Sequence, residues 1–250
     1  MRTLLVIIIL AALVWSAYWA IGAQRAKAGV KTWLTEKNDA GFDIHVEDVS
    51  IWGFPNRFDI TMAPLRIQED EWGFAWRGAF FQILRLSYDS DHAIFIFPER
   101  HELKLDDIDF KISSDRMRAS SVKLEDGSHR FVLEAENLSL KNEKQDLRFV
   151  NAQLAFLLRK DQSKLQLRLM SEDTQSPGKP DSLLLLAVFS SDRALADEDL
   201  AFFDVKALSF KEIKLILNER TIYKGLISLT FAELLDMKEM RKALDEIVIN

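Results

Sequence analysis

Apolar and polar side chains alternate along much of this chain, and this period of two constrains the fold more than any other feature. Successive side chains of a β-strand point to opposite faces, so clean alternation predicts antiparallel sheet with one face buried. The alternating apolar positions are Phe42, Ile44 and Val46; Phe58, Ile60 and Met62; Leu103 and Leu105; Phe131, Leu133 and Ala135; Leu154, Phe156 and Leu158; and Leu165, Leu167 and Leu169.

The alternation changes phase at five places. In VEDVSI, residues 46–51, the apolar positions switch from even to odd, and similar switches occur at 62–67, 105–110, 135–140 and 205–210. A phase change reverses the face to which a side chain points, so a continuous strand needs a β-bulge or a sharp bend there. The alternative is a loop end between two separate strands. We favour bends, and therefore predict a mainly β fold with a strongly curved antiparallel sheet of roughly ten or more strands.

The N-terminus contains a long uncharged segment, Thr3 to Ala23, TLLVIIILAALVWSAYWAIGA. At a rise of ~1.5 Å per residue a helix of this length crosses a hydrocarbon core. Trp15, Tyr18 and Trp19 cluster at its far end, where amphipathic rings favour the headgroup layer. A cleaved signal peptide has a shorter apolar region and a small-x-small site. We therefore predict an uncleaved transmembrane anchor over residues 1–23.

Charge excludes some partners and leaves the orientation open. The net charge is −6, and without the first 23 residues, which hold only Arg2, it is 32 − 39 = −7. An acidic body argues against nucleic acid as a partner. The count of Arg2 against Arg25, Lys27 and Lys31 leans slightly toward a cytoplasmic body. The chain has no Cys, which removes disulfides and thiolate sites.

Beyond the anchor we expect one short helix and one large domain. Residues 24–41 predict a stalk helix that ends at Gly41 as a C-cap, and residues 42–250 a single β-rich domain. Pro177, Gly178 and Pro180 mark a loop over 171–182. A short helix is expected at 191–203. The capping box Thr230-x-x-Glu233 predicts a C-terminal amphipathic helix over 231–248.

The stretch SIWGFPNRFDIT, residues 50–61, is read as a corner between two strands. Pro55 restricts Phe54 to extended geometry, so Phe54 to Arg57 forms a tight turn in which Asn56 accepts left-handed φ. The turn motif is Gly53, Pro55, Asn56 and Arg57. Trp52 and Phe54 remain beside the turn as a small aromatic knob.

A second aromatic cluster lies at 71–88, EWGFAWRGAFFQILRLSY. Its rings either form the core of a curved sheet, which is the commoner case, or line a groove for acyl chains. The candidate hydrophobic-ligand or contact residues are Trp52, Phe54, Trp72, Phe74, Trp76, Phe80, Phe81 and Phe156.

Signs of catalytic chemistry are few. His45, His92, His101 and His129 are scattered without the spacing of metal ligands. No Gly-rich phosphate loop and no nucleophile elbow occurs. We therefore predict no catalytic, cofactor or metal site, and expect that the protein is not an enzyme.

Four segments resemble a known family. YWAIGAQRAKAGVKTWL, GFPNRFDIT, EWGFAWRGAFFQILRLSY and HAIFIFPE follow one another as in the bacterial envelope family called domain of unknown function 2125, typical of alphaproteobacteria. The resemblance implies an inner-membrane anchor with a periplasmic β-rich body. It further implies a body similar to AsmA-like proteins, whose curved sheets carry lipid, and brings no catalytic residues.

Two functions remain ahead of an enzyme. The first is a membrane-tethered protein that binds or handles lipid or another hydrophobic ligand through the apolar face of the sheet, with inner-membrane lipids as partners. The second is a non-catalytic envelope scaffold or membrane-protein assembly factor, with the aromatic knob or an edge strand contacting an envelope protein. The first predicts an open apolar trough, and the second a filled core with an exposed aromatic patch.

Overall fold

The protein is mainly β with one long N-terminal helix, which confirms the predicted fold class. The structure is a computed structural model and describes residues 2–70, 73–105, 108–143, 146–159, 163–171, 181–191, 208–217 and 220–229. The described strands form an antiparallel sheet in which eight strands close a barrel and further strands extend it.

Helix α1 runs without interruption from Arg2 to Asp39, so the predicted anchor and the predicted stalk belong to one helix. Gly41 follows with a φ of +97°, the left-handed geometry of a helix C-cap. The Asn38 side chain accepts a hydrogen bond from the Ile44 amide at 2.8 Å, which ties the helix end to the first strand. The N-terminal part of α1 is long and apolar enough to cross a membrane.

Fourteen strands follow in the described residues. They are β1 (Phe42–Trp52), β2 (Arg57–Glu69), β3 (Phe74–Gly78), β4 (Phe81–Leu86), β5 (Asp89–Ile96), β6 (Arg100–Leu105), β7 (Ile108–Ser113), β8 (Arg116–Lys123), β9 (His129–Lys141), β10 (Asp146–Leu158), β11 (Ser163–Ser171), β12 (Asp181–Ser191), β13 (Leu208–Leu217) and β14 (Arg220–Leu229). The chain divides into two compact units, residues 1–112 and 113–250, and the predicted single domain over 42–250 spans parts of both.

In the first unit β2 is the central strand. Its partner β1 covers one edge of β2 over residues 59–69, so β3 and β4 share the other edge. Leu65 faces Gly78 and Met62 faces Phe81, which is a single unbroken register. The strands β3 and β4 are therefore two halves of one strand that breaks at residues 79–80. Beyond the break the halves diverge, since β3 pairs with β6 and β4 pairs with β5.

The phase changes at 46–51 and 62–67 face each other in the β1–β2 hairpin. Val46 pairs with Leu65 and Asp48 pairs with Ala63. Between these pairs, Glu47 and Pro64 lie opposite each other and are the only unpaired residues of this stretch. The register is the same on both sides, so no residue is inserted and neither strand has a bulge. Both strands change their buried face at the same point along the hairpin. We call two opposite residues at which this happens, here Glu47 and Pro64, a paired pivot.

A second paired pivot lies in the second unit, between β9 and β10. Ala135 and Leu138 are both buried, which confirms the phase change predicted at 135–140, and Asn137 between them has a φ of +49°. Asn137 and Val150 lie opposite each other and are unpaired, and the register is the same on both sides of them. The matching phase change in β10 was not predicted from the sequence.

The strands of the second unit, β8 to β14, pair in chain order as an antiparallel meander. Its most deeply buried side chains are leucine and isoleucine at alternating positions of β12 and β13, namely Leu183, Leu185, Ile213 and Leu215. Alternation places these side chains on one face, where they bury apolar area at roughly 25 cal/mol per Å².

The remaining predictions concern two phase changes, one loop and two helices. The phase change at 105–110 is a connection between two strands, because β6 ends at Leu105 and β7 begins at Ile108. Most of the predicted loop, 172–180, and most of the predicted helix at 191–203 lie outside the described residues. The C-terminal helix over 231–248 lies outside them entirely, as does part of the phase change at 205–210.

Candidate functional site

The end of the apolar segment of α1 is bound to two turns of the first unit. Trp15 Nε1 donates a hydrogen bond to the Pro55 carbonyl at 2.8 Å, and Trp19 Nε1 donates to the Arg57 carbonyl at 2.7 Å. Tyr18 Oη donates to the Ser87 carbonyl at 3.0 Å. The aromatic residues that predicted a membrane-interface position are therefore also the residues that hold the body to the helix. We call this region the helix–turn junction.

Apolar contacts complete the helix–turn junction. The Trp19 ring meets Phe54 edge-on with centroids 5.5 Å apart, and its centroid lies 6.0 Å from that of Phe58. Phe58 also lies against Gly22, where a Cβ would come within 2.5 Å of the Phe58 ring. Gly22 therefore leaves the space that the tip of the Phe58 ring occupies, and a side chain at this position would displace the ring.

The turn of the junction is built around Gly53. The Arg57 amide donates to the Gly53 carbonyl at 2.9 Å, so the turn closes over five residues, one more than predicted. Gly53 has a φ of +102°, and a Cβ there would lie 2.9 Å from the Arg57 carbonyl oxygen. The left-handed residue is thus Gly53, and the expectation that Asn56 takes this role was wrong. Glycine is required because it has no Cβ to collide with the returning strand.

Polar contacts behind the turn fix its position. The Arg57 guanidinium forms an ion pair with Asp59 at 2.8 Å, in which the Asp59 side chain is buried and that of Arg57 half-exposed. The Ser87 amide donates to the Asn56 carbonyl at 2.9 Å, which joins the β4–β5 turn to the β1–β2 turn. The two turns therefore act as one unit against the helix.

Three aromatic side chains of these turns are exposed. Trp52 is 71% exposed, Phe54 56% and Tyr88 66%. The structure thus places two of the predicted contact residues, Trp52 and Phe54, at the helix–turn junction, together with the whole turn motif. Tyr88 was not predicted. Its position after β4 in the sequence indicates a turn, but not the proximity of that turn to Pro55.

A separate aromatic cluster lies in the same unit, around Trp76. Trp76 is buried, and its ring neighbours are Phe81, Phe97 and His101, with centroids 5.7 to 6.4 Å away. Phe81 also stacks on Phe95. Gly78 leaves the space that the Trp76 ring occupies, since a Cβ at Gly78 would overlap that ring and lie 3.0 Å from Pro98 Cγ.

His101 is the titratable member of this aromatic cluster. Burial lowers the pKa of His101 below its ordinary value of 6.5, and its hydrogen bond to the Pro98 carbonyl, at 3.1 Å, opposes that shift. Since a carbonyl only accepts, Nδ1 carries the proton of this bond. The imidazole is therefore held neutral among aromatic rings.

The other predicted contact residues are distributed over several elements. Phe74 lies in β3, and Phe80 lies in the break between β3 and β4; both are half-buried. Phe156 lies in β10 of the second unit, half-buried, opposite Phe131 with ring centroids 6.3 Å apart. Trp72 is outside the described residues. Within the described part of the chain, no three His, Asp or Glu side chains are grouped so that they could hold a metal ion.

Fold and site together define a class: a β-rich body bound at its turns to a long, membrane-competent N-terminal helix. The comparison with protein families identifies the particular group. A family model described as "Uncharacterized protein conserved in bacteria (DUF2125)" matches residues 19–205, and the chain belongs to this family. The match begins at Trp19 and includes the turn at Gly53 and the Trp76 cluster. No match was found among curated proteins or among solved structures.

Proposed function

We propose that this protein is a single-pass inner-membrane protein whose β-rich body lies in the periplasm and handles lipid or another hydrophobic ligand without catalysing a reaction. The observation that carries the proposal is the helix–turn junction. It binds the body to the last turns of an apolar helix, so that the body works beside the membrane rather than at the end of a flexible tether.

The junction supports a retained anchor. Cleavage after Ala23, at the small-x-small site Ile21-Gly22-Ala23, would remove the three side chains that donate to the turns. The face of the Phe58 ring that packs against Gly22 would then contact water. A body that depends on its anchor for these contacts favours an anchor that stays attached.

The side of the membrane rests on the family resemblance. The count of Lys and Arg around the helix slightly favours the opposite side, so the two arguments make different predictions. An alkaline phosphatase fused to the C-terminus should be active, and a reporter that works only in the cytoplasm should be inactive. The reverse result would place the body in the cytoplasm and contradict this part of the proposal.

Lipid handling is supported by large apolar rings that remain accessible. Phe80 at the strand break and Phe156 beside Phe131 are half-buried, and an acyl chain that reached them would gain about 0.8 kcal/mol for each buried CH₂. Binding of one chain would then need no charged clamp. The body also lies where acyl chains are available.

A photoreactive phenylalanine analogue tests this directly. It is placed at Phe80 or Phe156 of the full chain, activated in intact membranes, and the modified peptides are analysed by mass spectrometry. We expect lipid adducts at both positions. The control is Asn151, which lies on β10 but is exposed and should give none. Adducts at neither Phe80 nor Phe156 would contradict lipid handling.

The alternative function is a scaffold for another envelope protein. The exposed Trp52 and Tyr88 favour it, because aromatic side chains are enriched at protein interfaces. The same analogue placed at Trp52 would then form adducts with protein in intact membranes. Protein adducts at Trp52, without lipid adducts at Phe156, would make the scaffold the better description.

A further inference from the structure

The three exposed aromatic side chains of the helix–turn junction have a defined position along the helix. Phe54 and Tyr88 belong to the two turns that bind α1 between Trp15 and Gly22, and Trp52 directly precedes the first of these turns. This binding region lies wholly within the uncharged segment Thr3–Ala23. Its seven residue steps extend about 10 Å along the helix axis at ~1.5 Å per residue.

That length sets the depth of the turns. A helix needs about 20 apolar residues to cross a hydrocarbon core of about 30 Å, and the segment Thr3–Ala23 supplies no more than this. Counted back from Ala23 at ~1.5 Å per residue, Trp19 then lies about 6 Å and Trp15 about 12 Å below the surface of this core, in the leaflet on the side of the body. Turns packed beside those residues lie at the same depth.

We infer that the β1–β2 and β4–β5 turns insert into the leaflet on the side of the body, where Trp52, Phe54 and Tyr88 contact the acyl chains below the headgroups. This inference rests on the proposed membrane-spanning helix. It adds a second, lateral attachment of the body to the bilayer, through side chains of the turns. The occupant of this surface is lipid, and the surface is continuous with the apolar helix that the same lipid surrounds.

The hydrogen bonding of the turns fits such a position. Backbone groups in a layer with little water must find partners within the protein. The carbonyls of Pro55, Arg57 and Ser87 accept from side chains of the helix, and those of Gly53 and Asn56 accept from backbone amides. Arg57 is paired with Asp59 while its half-exposed guanidinium remains available to lipid phosphate.

The ring chemistry fits as well. Trp and Tyr combine an apolar body with a polar tip and are enriched at both membrane–water interfaces. Trp52 and Tyr88 supply one of each, and Phe54 supplies a fully apolar ring beside them. Together the three rings expose apolar area to the surroundings, which is typical of a contact surface.

The absence of cysteine in the sequence allows a clean test. Single cysteines are introduced as Phe54→Cys and, independently, Tyr88→Cys, and each is labelled with an environment-sensitive fluorophore. The full chain is reconstituted in vesicles of phosphatidylcholine and phosphatidylglycerol. Quenching is measured with spin-labelled lipids from within the bilayer and with iodide from the water.

Two further cysteines provide the references. Ile8→Cys, in the middle of the apolar segment, reports a label inside the bilayer. Asp43→Cys is exposed at the far end of the β1–β2 hairpin, nine residues from Trp52, or about 30 Å at ~3.3 Å per residue. It reports a label in water on the same two strands.

We expect the labels at Phe54 and Tyr88 to emit at shorter wavelength than the label at Asp43, to be quenched by the lipid probes and to lose quenching by iodide. If both instead match the label at Asp43 while the label at Ile8 is in the bilayer, the inference is wrong and a protein partner is the better occupant. If the label at Ile8 is itself in water, the membrane-spanning helix is wrong, and the inference fails with it.

Discussion

Two groups of aromatic residues in the first unit have similar composition and opposite surroundings. In the helix–turn junction, Trp and Tyr side chains donate hydrogen bonds to backbone carbonyls, and the rings of the turns remain exposed. In the cluster around Trp76, the rings contact each other and the central one is buried. The first group joins two elements, whereas the second fills a core.

The difference shows that an aromatic residue must be judged by what its polar tip and its faces contact. A buried ring stabilises by area and by packing with its neighbours. For the exposed rings of the turns we infer instead a contribution that depends on contact with the membrane. The following experiments separate the two roles, beginning with the largest effect.

Removal of the central ring should separate the groups most strongly. We expect Trp76→Ala to lower the free energy of unfolding by about 3–5 kcal/mol, because it leaves a cavity among Phe81, Phe97 and His101. Trp52→Ala, at a side chain 71% exposed, should change it by less than about 0.5 kcal/mol. Chemical unfolding of the full chain in detergent measures both. Equal losses would show that Trp52 is also a core residue.

The second experiment concerns the backbone of the junction. We expect Gly53→Ala to cost about 2–3 kcal/mol, because Ala is strained at positive φ and its Cβ would collide with the Arg57 carbonyl.

Gly41→Ala is the matched control for this change. Its φ of +97° is nearly that of Gly53, but a Cβ there meets nothing within 4 Å. It should cost only the strain of the backbone, about 1 kcal/mol. Equal effects at the two glycines would mean that the turn at Gly53 relaxes around the new methyl group.

The third change weakens the attachment of the helix. Trp19→Phe keeps an aromatic ring against Phe58 but leaves the Arg57 carbonyl without its donor, a loss of about 0.5–1.5 kcal/mol. Hydrogen exchange of the amides at 53–58, measured in vesicles, should become faster. Trp52→Phe serves as the control, and faster exchange in that variant too would show that the ring size of the turn matters more than the hydrogen bond.

The smallest effect is a pH dependence at the Trp76 cluster. Because burial lowers the pKa of His101, the unfolded chain takes up a proton at this residue at higher pH than the folded chain. Stability from this residue is therefore complete above pH 6.5 and declines as the pH falls below that value. His101→Phe keeps a ring beside Trp76 and should weaken the dependence between pH 7 and 5. An unchanged pH profile would refute the contribution of His101.

Much of the fold could be predicted because alternation is a local signal. Phe42, Ile44 and Val46 are enough to indicate β1, and the apolar length of residues 3–23 is enough to indicate the helix. The pairing of the phase changes could not be predicted. Neither VEDVSI nor MAPLRI indicates that Glu47 and Pro64 lie opposite each other, and this opposition distinguishes a paired pivot from a bulge.

The site was predictable in its parts but not in its assembly. The turn at 53–57, the rings at Trp52 and Phe54, and the aromatic end of the helix were each visible in the sequence. Their union depends on bonds between side chains and backbone carbonyls 38 to 69 residues away, for which a sequence carries no local pattern. Gly53, rather than Asn56, has the left-handed conformation because Arg57 packs against Gly53 and its amide donates a hydrogen bond to the Gly53 carbonyl. The sequence alone does not indicate this contact.

The paired pivots also bear on how the chain avoids wrong pairing. An ordinary hairpin can slide by two residues and keep its apolar face buried, because the side-chain period is two. A hairpin whose buried face changes at Glu47 and Pro64 cannot, since after such a slip one strand would change face two residues before its partner. Apolar groups would then meet water on both sides of the sheet. The two pivots therefore fix the alignment of β1 with β2 and of β9 with β10, which protects these long strands from misfolding and from aggregation.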